Sequence, residues 1–181
     1  MTRTTIALGA LWLALTAGSA LAETQAPVLP AQRGAVFITK DDFAKALAAR
    51  AGGQGPGVVG AVRAGDDRIN VDVLRRDTPD PSQLTHDVVT EIYYILEGGG
   101  DFATGGTLVD PRPMMTDGQP TNPASIGPSQ SSTKATGGMV RHVSAGDVVM
   151  LPPNVAHGFV KLDGHVTYMV VRVNPGYEKG R

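Results

Sequence analysis

Between residues 58 and 173 the chain is a succession of short β-prone runs, each closed by glycine, proline or aspartate, and it has no cysteine to staple them together. Strands this short and this closely spaced cannot bury their apolar sides singly, so they must pack as a sandwich or barrel. The candidate strands are 58–63, 69–75, 91–96, 102–109, 139–143, 147–151, 157–161 and 166–173. Asp163-Gly164 predicts a tight hairpin between the last two, and Gly98, Gly99 and Gly100 predict another after the third. Asn70 and Asp72 alternate with Val71 and Val73, which predicts one polar and one apolar face.

The ends differ from this β-rich body. Arg3, an apolar stretch over 6–20 and the small residues of Ala20-Leu21-Ala22 predict a signal peptide over 1–22, cleaved so that Glu23 begins the mature chain. An apolar stretch of about 15 residues falls short of the roughly 20 that span a bilayer. The expectation is a periplasmic or secreted protein with no membrane partner after cleavage. Removing 22 of 181 residues leaves 159, enough for one domain with a sizeable core. Residues 23–38 read as a flexible leader. Residues 39–53 read as a helix with Thr39 as N-cap, Asp41 and Asp42 in the first turn, and Phe43, Ala46, Leu47 and Arg50 at helical spacing. The tract 110–138, rich in proline and glycine, reads as a long surface loop, either a tolerated insertion or a lid.

Charge narrows the partners. The net charge of −1 becomes −2 once Arg3 is removed, and no Lys/Arg cluster stands out. There is no electrostatic footprint for nucleic acid or an anionic membrane, which leaves a small molecule as the expected ligand or substrate.

The stretch THDVVTEIYYILEGGG carries the chemistry. His86 and Glu91 are five residues apart, so on one unbroken strand they would face opposite sides; they share a cavity only if 87–90 turn or bulge. From Glu91 the alternation places Tyr93 and Ile95 on the carboxylate's side and Ile92, Tyr94 and Leu96 on the other. The glycines do not form a dinucleotide loop, because Ala103 stands where the third glycine would be needed. No cysteine nucleophile is available, and no Ser/His/Asp pattern appears.

His86, then Glu91, six residues and Gly98 resemble the first motif of the cupin family, usually His-x-His-x(3,4)-Glu-x(6)-Gly. Gly146, Pro152 and His157 resemble the second, Gly-x(5)-Pro-x-Gly-x(2)-His-x(3)-Asn. The resemblance covers about residues 58–173. It implies an all-β, cupin-type double-stranded β-helix, a jelly-roll-like conical barrel, here with one short N-terminal helix. It also implies a divalent metal (Fe, Mn, Ni, Cu or Zn) held by His86, Glu91 and His157. Three positions depart from the pattern. Leu84 stands where the first histidine usually sits, Lys161 replaces the last asparagine, and Asn154 replaces the motif glycine, a mild change because asparagine tolerates positive φ. Related barrels often form homodimers through edge strands.

Glu91 could instead pair with an interior arginine such as Arg63 or Arg141. His142 and His165 lack motif support as ligands. Tyr93, Phe159, Met150 and Tyr168 are candidates to line the cavity, and Tyr93, nearest Glu91 on its face, is the candidate for acid/base work. Two functions follow: an exported metal-dependent enzyme of dioxygenase, isomerase or lyase type, or a non-catalytic module binding a sugar or other small molecule. Leu84 speaks for the second by weakening the ligand shell.

Overall fold

The computed structural model describes residues 29, 34–49 and 57–179. The expected signal peptide, most of the leader and the expected helix end at 50–53 lie outside those residues. In chain order the elements are α1 (Lys40–Ala49), β1 (Gly57–Ala64), β2 (Asp67–Arg76), β3 (Gln83–His86), β4 (Thr90–Thr104), β5 (Thr107–Leu108), β6 (Arg112–Pro113), β7 (Met115–Thr116), β8 (Gln119–Pro120), α2 (Pro123–Ile126), β9 (Ser129–Ser132), β10 (Ala135–Thr136), β11 (Met139–Ser144), β12 (Val148–Leu151) and β13 (His157–Asn174). Thr39 caps α1 as expected: its hydroxyl accepts from the Asp42 amide, and the Asp42 carboxylate accepts from the Thr39 amide.

Two long strands organise the barrel. Residues 90–98 of β4 pair with 166–173 of β13, and residues 100–104 pair with 157–162. Each strand therefore serves two layers. One layer runs β1-β2-β13-β4-β12 through the later half of β13, and the other runs β6-β9-β3-β13-β4-β11 through its earlier half. This is the expected all-β, double-stranded β-helix class of fold.

The two predicted hairpins are absent. Gly98–Gly100 lie inside the 15-residue β4, and Asp163-Gly164 lie inside the 18-residue β13. Leu162 stands opposite Gly100 and Val166 opposite Gly98, so residues 163–165 form a bulge against the middle of the glycine run. The strands bend there instead of reversing. A Cβ on Gly100 would lie 2.2 Å from the Lys161 carbonyl oxygen, so glycine is needed for close approach, not for a turn.

The core lies between the layers. Tyr93 packs on Phe102 with ring centroids 5.5 Å apart, and Phe159 on Tyr168 at 5.4 Å. Leu74, Ile95, Val143, Leu151, Val166 and Val170 complete it. Burying each large side chain contributes about 1.5–3 kcal/mol, against about 0–1 for an exposed ion pair. Packing therefore does the work that disulfides do elsewhere. Met150, expected as a cavity residue, is 67% exposed and points outward.

The inner faces of β2 and β13 turn polar at one end. Arg68, Asn70 and Asp72 on β2 and Arg172 and Asn174 on β13 are all buried. The polar face expected for Asn70 and Asp72 thus looks inward. What covers it is the tract expected to be a surface loop. In that tract β9 pairs with β3, and α2 buries Ala124, Ser125 and Ile126 against the polar end. The Asn70 and Asn174 amides donate to the Ala124 carbonyl, so this tract is part of the barrel wall.

Candidate metal centre

His86 ends β3, Glu91 is the second residue of β4 and His157 is the first of β13, so three neighbouring strands deliver the three side chains to one point. The required turn is present: strand pairing stops at His86 and resumes at Thr90, and the Asp87 amide donates to the Pro128 carbonyl. Asn154 stands at φ 63°, its amide donating to the His86 carbonyl and its side chain to that of Asp87. Glycine's substitute therefore adopts glycine's backbone and ties the two motifs together. Ligand atoms of His86, Glu91 and His157 all lie within 4.8 Å of one another, and the three residues are no more than 4% exposed.

Hydrogen bonding fixes both imidazoles. The His157 Nδ1 faces the Val155 carbonyl at 2.9 Å, an acceptor only, so Nδ1 carries the proton. The His86 Nδ1 lies 2.7 Å from the Ser129 hydroxyl, whose own hydrogen is directed to the carbonyls of Ile126 and Gly127 at 2.9 and 3.1 Å. His86 therefore donates from Nδ1 as well. In the neutral rings both Nε2 lone pairs point at the Glu91 carboxylate, at 3.4 Å for His86 and 3.0 Å for His157. The His157 Nε2 is buried with no hydrogen-bond partner among the described residues, although its distance to Glu91 is that of a contact pair. Lone pair facing lone pair in a buried site calls for a cation between them, a proton or a metal.

The donor set fits a metal. Donors about 2.1 Å from a common ion are about 3.0 Å apart at a right angle and about 3.4 Å apart at the tetrahedral angle. The His86 Nε2 to Oε1 and His157 Nε2 to Oε2 separations, 3.4 and 3.0 Å, are of this size, each to its own oxygen of the carboxylate. Histidines whose other nitrogen is held by a carbonyl or hydroxyl are the usual form of such ligands. Burial lowers the pKa of His86, outweighing the raising effect of Glu91, so a proton is not the cation favoured there.

Glu91 is held by an arginine, and it is neither of those expected. Arg172, its register partner on β13, donates from Nε to Glu91 Oε1 at 2.6 Å and from Nη1 to Asp72 Oδ2 at 2.7 Å. Arg63 instead donates to the Gly65 carbonyl, and Arg141 is exposed on β11. Burial opposes the Glu91 charge, but the Arg172 guanidinium holds its carboxyl well below the usual range. Asp72 and Glu91 against Arg172 leave one uncompensated negative charge, which favours a cation. Ser125 donates to Asp72 at 3.2 Å, so α2 also supports the arginine.

Tyr93 lies on the expected face, its hydroxyl donating to Glu91 Oε2 at 3.3 Å and its ring stacked on Tyr168 with centroids 5.0 Å apart. Burial, and then the Glu91 charge, push its pKa well above the ordinary value. It is a neutral donor, not a phenolate base. His142 and His165 lie elsewhere, against Asp101 and Asp163, and against Glu97.

Acid should weaken this centre. With its pKa depressed, the His86 contribution to stability is complete above the unfolded value of about 6.5 and is lost as pH falls below it. In metal-free protein the urea midpoint is expected to drop between about pH 7 and 5, with a shallower slope in His86→Gln. Equal slopes would show that His86 is not buried neutral.

No family model matches the chain, and no curated protein matches it. Among solved structures it is similar to a cupin protein from Bacteroides fragilis, at 17% identity and a TM-score of 0.34, over 64% of this chain and 71% of that one. It is also similar to a conserved protein with a double-stranded β-helix domain from Klebsiella pneumoniae, at 15% identity and a TM-score of 0.41, over 74% and 87%. A third is KdgF from a Halomonas species, at 15% identity and a TM-score of 0.35, over 64% and 76%. The solved structures that this chain resembles thus include cupin and double-stranded β-helix proteins.

Proposed function

We propose that this is an exported metal-binding barrel protein that acts on a small molecule, with His86, Glu91 and His157 holding one divalent ion. The observation that carries the reading is the pair of imidazole lone pairs directed at one buried carboxylate with no proton donor between them. A metal there would supply Lewis acidity toward a substrate oxygen. The chain's own part is to fix the ligands through Ser129 and Val155, to keep Glu91 ionised through Arg172, and to offer the Tyr93 phenol as a neutral hydrogen-bond donor.

The test is metal content, by elemental mass spectrometry, of the mature protein purified without tag or chelator. Near-stoichiometric metal is expected. Loss of outer hydrogen-bond partners alone typically costs about 10–100-fold in affinity, so His86→Ala and His157→Ala should lose the metal outright. Folded protein that neither contains metal nor takes it up on soaking would overturn the reading. A non-catalytic binding module is the second reading, and the near-complete burial of the three ligands favours it. Turnover abolished by chelation would decide against it.

A further inference from the structure

A slot of about 400 Å³ opens between β11 and β12, the strands that pair with the two halves of β4. Its floor is core: Phe102, Val143 and Leu151 are buried, and Val149 and Val155 pack against them. Strand alternation places Met139 and Arg141 on the side of Val143, so both face the slot. Arg141 stands opposite Phe102 in the β11–β4 register. No hydrogen bond or ion pair is made by its guanidinium among the described residues. The one acidic residue lining the slot, Asp147, has its carboxylate on the Ser144 amide at 2.8 Å. His142, also at the slot, is engaged by Asp101 and Asp163.

An exposed arginine at the mouth of the slot, opposite Phe102 and above an apolar floor, with no acid to pair with among the described residues, is a site for an anion that brings its own apolar body. We infer that this slot binds an amphipathic organic acid, with its carboxylate on Arg141 and its apolar part against Met139, Val149 and Val155. The size lies within the usual range of small-ligand pockets, about 300–1,000 Å³. The planar guanidinium matches a carboxylate with two parallel hydrogen bonds. Phe102 joins the slot to the candidate metal centre, its ring centroid 6.1 Å from that of His157, and the Val155 carbonyl orients the same histidine. The inference rests on reading the barrel interior as a small-molecule site, but the slot itself needs no metal.

The experiment is calorimetric titration of the mature protein with octanoate and with neutral octanamide, in metal-loaded and chelated samples. Saturable octanoate binding at one site per chain is expected in both samples, with octanamide and the Arg141→Gln variant weaker by about tenfold or more. Val149→Trp, which fills the slot, should abolish it. Binding that survives chelation keeps this result separate from the metal assay. No saturable binding at millimolar octanoate, equal binding in Arg141→Gln, or full binding in Val149→Trp would each overturn the inference.

Discussion

Arg172→Met is expected to destabilise the barrel by about 3–5 kcal/mol at neutral pH, the cost of removing one partner from a buried ion pair. The side chain is 5% exposed and bridges two carboxylates that are themselves 0 and 1% exposed. Its removal would leave Asp72 and Glu91 charged with no buried counter-charge. Lysine should not substitute well, because Nε and Nη1 address different carboxylates and one ammonium cannot reproduce that fork. Guanidinium or urea unfolding would measure the loss. Two signatures separate charge from packing. The deficit should shrink in acid, where a Glu91 carboxyl no longer held down by Arg172 protonates, and added divalent metal should recover part of it by supplying the missing cation. A variant as stable as the wild type at pH 7, or a deficit indifferent to pH, would show that the two carboxylates are not held charged together.

The same arginine shows what could be read from the sequence and what could not. His86, Glu91 and His157 could be named together because their spacing resembles the two cupin motifs; strand alternation alone would separate His86 from Glu91, and only a turn over 87–90, which local composition permits, lets them meet. The face shared by Glu91, Tyr93 and Ile95 followed from simple alternation, and all three are buried. Arg172 lies 81 residues from Glu91 and 100 from Asp72. Only the antiparallel register of β13 with β4 and β2 brings them together, and no local pattern encodes that register. Its one trace is polarity within a buried-looking run: Arg172 and Asn174 close the apolar stretch of β13, as Asn70 and Asp72 interrupt that of β2. Polar residues at period two in strands otherwise suited to a core signal a polar interior, and alternation alone does not say which face looks inward. Ser129 and Ser125 were hidden for another reason. Their tract lacks periodicity because it folds against the barrel one residue at a time, through caps, short bridges and carbonyl contacts.

Gly98 tests the other misreading. Glycine after a β run signals a hairpin, yet here it marks the place where one strand bends beneath another. Gly98→Ala is expected to cost roughly 3 kcal/mol or more, since an overpacked contact typically costs about 1–3 and a left-handed backbone about 1–2. The new Cβ would lie 2.1 Å from the His165 carbonyl oxygen, and the residue stands at φ +70°. Backbone cannot step aside as a flexible side chain can, which puts the contact at the costly end. Gly65→Ala is the control, because it has nearly the same backbone, φ +65°, with nothing within 4 Å of the added Cβ. It should cost only the conformational part, about 1–2 kcal/mol. Urea midpoints of the two variants isolate the difference. If Gly98→Ala is clearly worse, the glycine run is there so that β13 can cross β4 and both strands can serve two layers. If the two variants lose equally, positive φ alone explains the glycine, and the bend would have to be set by the 163–165 bulge on β13.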